Sequence, residues 1–110
     1  MTLAGPFSLD NVFDEVVHDS PGVYVLSRNA LHPHYIGRSD SSIRTRIPQS
    51  AAAGSGYLVF WFGYAPSPKE AYQLECLLFH KYERHIDNSI HPAVPVGAYW
   101  RCPVVGCPWS

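Results

Sequence analysis

Two short tripeptides place two tyrosines on neighbouring strands of a predicted β-hairpin. The sequence reads Gly-Val-Tyr at residues 22–24 and Tyr-Ile-Gly at residues 35–37, with ten residues between Tyr24 and Tyr35. Each tripeptide lies in a run with strand character, and the polar connection over residues 28–33 contains turn formers. A tyrosine can relay or accept a proton when its pKa falls well below its usual value of about 10. The pattern therefore indicates a candidate acid–base site carried by the hairpin.

Arginines are concentrated in the predicted hairpin and in the helix that follows it. Four arginines lie in the hairpin and in the helix predicted after it: Arg28, Arg38, Arg44 and Arg46. Residues 39–42 are rich in N-cap residue types, so we expect a helix from about Ser42, with Ile43 and Ile47 on one face. Cationic groups near a phenol lower its pKa. An arginine also supplies a fixed positive charge with bidentate geometry for phosphate.

A later helix, predicted from Ser67 to about residue 85, carries a single candidate carboxylate. Ser67 is a good N-cap, Pro68 suits the first helical position and Glu70 supports a capping box. Apolar side chains repeat at helical spacing at Ala71, Leu74, Leu78 and Tyr82. Glu75 lies beside this stripe, so we expect it at the edge of the core, facing the hairpin.

Together these parts resemble the GIY-YIG nuclease family. Residues 22–24 match the first tripeptide of the family with Val in place of Ile, and residues 35–37 match the second without change. The family then has a helix with a pattern similar to Leu-x-x-Arg-Leu, which residues 43–47 resemble. A helix with a metal-binding glutamate and a downstream asparagine follow in the family. The resemblance covers roughly residues 21–88, in the expected order.

The resemblance implies a role for each matching residue. Tyr35 is implied as the general base, with Tyr24 shaping the site or assisting. Arg46 is implied as the catalytic arginine, with Arg44 as the runner-up. Glu75 is implied as the ligand of Mg²⁺ or Mn²⁺, and one carboxylate suffices because Mg²⁺ keeps several waters. The side chains expected to contact nucleic acid are Arg38, Arg44, His34 and Asn88.

The chain departs from the family pattern at Ser50, where many members have His or Tyr, and at Arg38, where many have Lys. The residues after Asn88 are not matched. The resemblance implies a metal-dependent endonuclease acting on DNA, with RNA not excluded. One alternative is a nucleic-acid-binding module whose site has decayed or needs a partner. Another is a protein-interaction domain anchored by exposed Trp100 and Trp109.

The expected fold class is α/β, in its α+β form. We predict a small three-stranded antiparallel sheet flanked by helices, in the order α, β-β, α, β, α, and the resemblance implies the same. The chain reads as one domain over residues 1–110, with the motif-bearing core at about residues 21–88 and an irregular Pro- and Gly-rich tail over residues 89–110. A helix is predicted over residues 8–17. The third strand, residues 57–64, is predicted to be covered on both faces.

Composition and charge limit the classes of partner. The net charge of −1 is the main objection to a nuclease, because phosphate binding normally shows as a basic surface. We therefore expect a local basic patch and modest affinity for DNA, helped by a protein partner or by a homodimer. The longest apolar stretch, residues 57–65, is too short to span a bilayer, so no membrane association is expected. The N-terminus has no signal-peptide pattern.

Cysteine usage favours a reducing compartment. Three cysteines leave one over from any intramolecular pairing, so a cytoplasmic location is the simpler interpretation. Cys102 and Cys107 resemble half of a zinc knuckle, but their spacing is wider than usual, and Cys76 and His91 are weak candidates for the other ligands. Most of the six histidines are expected at the surface. The sequence thus favours a tail packed by apolar side chains over a structural zinc site. These side chains are Val96, Tyr99, Trp100 and Trp109.

Overall fold

The structure describes residues 3–52 and 55–110, which contain four strands and three α-helices. In this computed structural model the strands are β1 (Ala4–Ser8), β2 (Gly22–Ser27), β3 (Tyr35–Ser39) and β4 (Val59–Tyr64). The helices are α1 (Val12–Glu15), α2 (Ile43–Ala51) and α3 (Pro68–Tyr82), and a 3-10 turn at Leu9–Asn11 precedes α1. Residues 83–110 contain neither helix nor strand.

The strands form one antiparallel sheet in the order β1-β4-β2-β3. The α+β class and the antiparallel pairing are confirmed, but the predicted count of three strands is wrong because β1 adds to the edge of β4. Ala4 lies opposite Phe62 and Phe7 opposite Phe60, with a shift of register between them. The Gly-Pro pair inside β1 gives it a low strand propensity, and such strands are found at sheet edges.

The predicted helix over residues 8–17 is shorter than expected. Ser8 pairs with Val59 as the last residue of β1, and its Oγ accepts a hydrogen bond from the Asp10 N–H in the 3-10 turn. Only Val12–Glu15 is α-helical. Val12 and Val16 are nevertheless buried in the core, whereas Phe13 is exposed.

The strand covered on both faces is β2, not β4. All six residues of β2 are buried, and the strand lies between β4 and β3. In β4, Phe60 and Phe62 are buried while Val59 and Trp61 are only partly covered. The prediction for residues 57–64 was wrong because an apolar run does not say how completely each face of a strand is packed.

The two longer helices begin where their caps predict. Ser42 Oγ accepts a hydrogen bond from the Thr45 N–H at the start of α2, and Ser67 Oγ accepts one from the Glu70 N–H at the start of α3. α2 packs Ile43 and Ile47 on the sheet face that carries Tyr24, Leu26, Phe60 and Phe62. α3 packs against β2 and β3 and ends before residue 85. No helix in the described ranges is long and apolar enough to cross a membrane.

A second, smaller core joins the tail to α3. Tyr72 and Cys76 of α3 pack with Cys102 and Cys107, and the Trp100 ring lies 5.9 Å from that of Tyr72. The predicted packing by apolar tail residues is therefore only partly correct: Val96 and Tyr99 are almost fully exposed, whereas Trp109 stacks on His91.

Candidate active-site cleft

Four predicted site residues from four different elements line one cleft of about 390 Å³. β2 contributes Tyr24, β3 contributes Tyr35, α2 contributes Arg46 and α3 contributes Glu75. The cleft lies along β3, the last strand of the sheet. The fold thus collects two phenols, a guanidinium and a carboxylate that are far apart in the sequence.

Gly37 makes room for the Tyr24 ring. The two residues lie opposite each other on neighbouring strands. A Cβ atom at residue 37 would lie 2.5 Å from Tyr24 Oη and 2.7 Å from Tyr24 Cε2, closer than side-chain atoms approach one another. Only glycine therefore lets the phenol of this buried tyrosine extend across β3 into the cleft. Gly37, the glycine of the Tyr-Ile-Gly tripeptide, therefore has a packing role: it leaves space for the Tyr24 ring at the cleft.

The Tyr24 hydroxyl is fixed by Ser50. The two hydroxyl oxygens are 2.5 Å apart, and either can donate. Ser50 lies in α2 one turn after Arg46 and also lines the cleft. In the sequence analysis Ser50 is only a departure from the family pattern, because nothing in the neighbouring residues indicates that this serine contacts a buried tyrosine hydroxyl.

Tyr35 is the more accessible of the two phenols. Its ring centroid lies 6.4 Å from that of Tyr24 and 6.1 Å from that of Tyr57, so it forms the middle of a row of three aromatic rings. Tyr35 is half-buried, whereas Tyr24 is fully buried. A substrate group in the cleft would therefore reach Tyr35 more easily.

Burial raises the pKa of both phenols. For Tyr24 the loss of water around the hydroxyl is the largest effect, and the Ser50 hydrogen bond and the Arg46 charge lower the pKa by less. For Tyr35 burial comes first and the Glu75 charge second, both raising the pKa, while Arg46 lowers it. The Arg46 charge lowers the pKa of both phenols, as expected from the sequence, but one guanidinium does not offset desolvation.

Arg38 holds the Glu75 carboxylate at the cleft. Its Nη1 donates to Glu75 Oε1 at 2.8 Å, its Nε donates to Asp40 Oδ1 at 2.9 Å, and its Nη2 donates to the Ala93 carbonyl at 2.7 Å. The guanidinium also lies over the Tyr72 ring, 5.2 Å from its centroid. Arg38 thus connects β3, α3 and the tail, and it orients Glu75 through one of its two oxygens.

The carboxylates of the cleft fit a divalent cation. Burial, with a smaller effect of the Asp40 charge, raises the pKa of Glu75 although the hydrogen bond and charge of Arg38 lower it, so added positive charge would stabilise the ionised carboxylate. Asp40 lines the same cleft and offers a second carboxylate. Oxygen donors of this kind are those that Mg²⁺ and Mn²⁺ prefer, and one or two carboxylates are sufficient. Glu75 would hold the ion, with Asp40 as a further carboxylate in the same cleft.

The structure separates the two candidate arginines. Arg46 is exposed on α2 and lines the cleft. The Arg44 guanidinium lies 4.8 Å from the centroid of the Phe13 ring, beside α1, and does not line the cleft. Arg46 is therefore the better candidate for a phosphate ligand at the reacting centre.

Two other predicted contact residues have structural hydrogen bonds. Asn88 lines the cleft, but its side chain accepts from the Ile36 N–H at 2.9 Å and donates to the Ile36 carbonyl at 2.7 Å. His34 does not line the cleft, and its Nδ1 accepts from the Arg28 N–H at 3.0 Å. A direct contact of either side chain with nucleic acid stays a prediction.

The tail supplies a wall that sequence reasoning missed. Ile90, His91, Pro92 and Ala93 line the cleft on the side of Arg38. Their sequence carries neither a helical nor a strand period, so only the folded chain shows that they lie beside Glu75. The cleft is therefore completed by residues beyond the part of the chain that the motifs cover.

Comparisons of the chain with family models, with curated proteins and with solved structures found no match. The similarity to the GIY-YIG family rests on the motifs in the sequence. The shared cleft is a separate observation, made from the fold.

Proposed function

We propose that this protein is a metal-dependent endonuclease that hydrolyses phosphodiester bonds in DNA. The observation that supports the proposal best is the convergence of Tyr24, Tyr35, Arg46 and Glu75 on one cleft. These side chains provide a proton acceptor, a phosphate ligand and a cation ligand, the parts that hydrolysis of a phosphodiester requires.

Arg46 binds the scissile phosphate in this mechanism. Its guanidinium can donate two parallel hydrogen bonds to phosphate oxygens, and its charge stabilises the transition state. A divalent cation held by Glu75 would supply Lewis-acid charge for the attacking water and the leaving oxygen. Arg38 keeps the Glu75 carboxylate in place through Oε1, and Oε2 is then the oxygen available to the ion.

Tyr35 accepts the proton. A water oxygen forms a bond to phosphorus while the bond between phosphorus and the leaving oxygen breaks. The Tyr35 phenol must first lose its own proton to solvent, a loss that burial opposes and that the positive charges of Arg46 and of a bound cation would favour. One proton of the water then passes to the Tyr35 oxygen, and the leaving oxygen is protonated from solvent. Tyr35 is preferred over Tyr24 because it is less buried, and because Ser50 already occupies the Tyr24 hydroxyl. Tyr24 then positions Tyr35 and closes the back of the cleft.

The decisive experiment is plasmid nicking in Mg²⁺ or Mn²⁺ by the wild type and by Glu75→Gln. We expect the variant to lose about a hundredfold or more in rate, because it cannot provide a carboxylate for the cation. Glu70→Gln is the matched control on α3, since glutamine also serves at the third position of a capping box. Equal nicking by the wild type and Glu75→Gln would contradict the assignment of the site.

One observation favours a second function, binding of nucleic acid without cleavage. Arg38 already neutralises part of the Glu75 charge, and burial keeps both phenols protonated. A site in this state could bind phosphate through Arg46 and yet fail to activate water. The test is fluorescence anisotropy with labelled duplex and branched DNA. Salt-sensitive binding, with no nicking in either metal, would favour this function over the nuclease.

A further inference from the structure

Four potential metal ligands converge beside the cleft, at the junction of α3 and the tail, and one of them, His91, also lines the cleft wall. They are His80 in the last turn of α3 and His91, Cys102 and Cys107 in the tail. One donor atom from each residue can be chosen so that all four lie within 4.8 Å of one another. His80, which the sequence analysis left among the surface histidines, is the ligand that the cysteine pair lacked.

Both imidazoles direct the same nitrogen toward the cluster. His80 Nδ1 lies 3.2 Å from Glu83 Oε2, and His91 Nδ1 lies 2.9 Å from the Pro92 carbonyl oxygen. A ring whose Nδ1–H is held by a carboxylate or a carbonyl offers Nε2 to a metal, the arrangement that most histidine ligands have. His80 Nε2 is buried and, among the described residues, has no hydrogen-bond partner. A buried nitrogen in this position requires an explanation.

The two sulfurs lie in a turn that suits thiolate ligands. Cys102 and Cys107 are 3% and 8% exposed. The Cys107 N–H donates to the Val104 carbonyl at 3.2 Å, and Gly106, at φ +88°, closes the turn. The Trp109 N–H points at Cys107 Sγ from 3.4 Å, which stabilises negative charge on sulfur. Cys107 Sγ lies 3.5 Å from His91 Nε2.

We propose that His80, His91, Cys102 and Cys107 form a structural Zn²⁺ site. Imidazole and thiolate together favour zinc over the hard cations expected at Glu75. Zinc bond lengths of about 2.0 Å to nitrogen and 2.3 Å to sulfur place tetrahedral ligands about 3.3 to 3.8 Å apart. The Cys107–His91 pair already has this separation, and the other pairs lie within 4.8 Å, so that small side-chain movements would suffice for them. Four protein ligands close the coordination shell, so the ion is structural rather than catalytic.

The site explains how an irregular tail is held in place. Residues 83–110 form no helix or strand, and two of the ligands belong to the small core that joins them to Tyr72 and Cys76. Zinc would fix His91 to the end of α3, next to the cleft wall formed by Pro92 and Ala93. The proposal is independent of the chemistry at Glu75.

The test is the metal content of the protein purified under reducing conditions from zinc-supplemented cells. We expect about one zinc per chain in the wild type and in the control His85→Ala, an exposed histidine just after α3. Cys107→Ser and His80→Ala should contain far less. Wild-type protein with well under one equivalent, or full zinc in Cys107→Ser, would overturn the proposal.

A second measurement on the wild type does not depend on how the variants fold. Zinc is removed with a chelator and Co²⁺ is titrated in. Thiolate-to-cobalt charge transfer with tetrahedral visible bands, saturating at one Co²⁺ per chain, is the expected result. A thiol count of one instead of three in protein denatured without reductant would mean a disulfide that uses Cys102, Cys107 or both, and would overturn the zinc site.

Discussion

At the scale of single residues, the candidate cleft depends on small groups that leave space or fix a hydroxyl. Gly37 leaves the space that the Tyr24 ring occupies, and Ser50 holds the Tyr24 hydroxyl. Neither residue has a titratable side chain. Both nevertheless decide where a buried phenol lies relative to Tyr35, whose ring is 6.4 Å away.

We expect Gly37→Ala to destabilise the protein by about 1 to 3 kcal/mol, because the added methyl group overpacks the Tyr24 ring. Chemical denaturation measures the effect. The double variant with Tyr24→Phe is the control, since removing the hydroxyl relieves part of the clash. The two changes should therefore cost less together than the sum of the single costs. Strict additivity would show that Gly37 matters for a reason other than this contact.

The residue types of the site were readable from the sequence, but their environment was not. Order and spacing singled out Tyr24, Tyr35, Arg46 and Glu75, and the fold brings all four to one cleft. The pairing of Glu75 with Arg38, and the burial that raises the pKa of both phenols, depend on contacts between distant elements. Such contacts leave no local pattern in the chain.

At the scale of secondary-structure elements, the sequence predicted correctly the features that depend on interactions between residues close together in the chain. The hairpin, and the caps Ser42 and Ser67, follow from turn and helix-start chemistry within a few residues. β1 was missed because its stability comes from pairing with β4 in the second half of the chain. His80 was not recognised as a partner of Cys102, Cys107 and His91 for the same reason, since these side chains meet only when the tail folds back on α3.

A cluster around Asp87 ties the segment after α3 to the sheet. Arg28 Nη2, just after β2, and Tyr57 Oη, just before β4, both donate to Asp87 Oδ2 at 2.6 Å. The Asp87 N–H donates to the His34 carbonyl in the hairpin. The Arg28 hydrogen bond, followed by that of Tyr57, lowers the pKa of the Asp87 carboxyl below its usual 3.8.

The stability that Asp87 contributes should depend on pH. A carboxyl whose pKa is lowered on folding stabilises the protein above its unfolded pKa, and the effect is lost as pH falls through the folded pKa. We expect Asp87→Asn to lower Tm at pH 7 by about 1 to 5 °C, a small change because the pair is exposed to solvent. The difference from the wild type should shrink below about pH 4. Asp14→Asn, an exposed carboxylate on α1, is the control, and a pH-independent difference would contradict the assignment.

At the scale of the whole molecule, the domain consists of a sheet core and a tail with a separate, smaller core. The candidate cleft lies between them, because its walls come from both parts. Arg38 bridges them by donating to Glu75 on α3 and to the Ala93 carbonyl in the tail. A change that loosens the tail should therefore alter the cleft without contacting Tyr24, Tyr35, Arg46 or Glu75.

Removal of zinc with a chelator that does not bind Mg²⁺ should loosen the tail while the sheet stays folded. We expect protease to cut within residues 83–110 of the zinc-free protein and to leave those residues intact in the zinc-loaded protein, because the site would provide much of their cohesion. Mass spectrometry of the fragments locates the cuts. Identical digestion patterns with and without zinc would show that the small apolar core alone holds the tail.

The hydrogen bonds of Asn88 have a consequence for how copies of this protein behave toward each other. β3 ends the sheet on one side, and the outward-facing N–H and carbonyl of Ile36 would accept another strand if they were free. The Asn88 amide occupies both groups, as a neighbouring peptide unit would. On the opposite border, Pro6 lacks an N–H and the register of β1 is interrupted. Both borders are thus poor templates for an added strand, which protects the open cleft beside β3 from strand-to-strand aggregation.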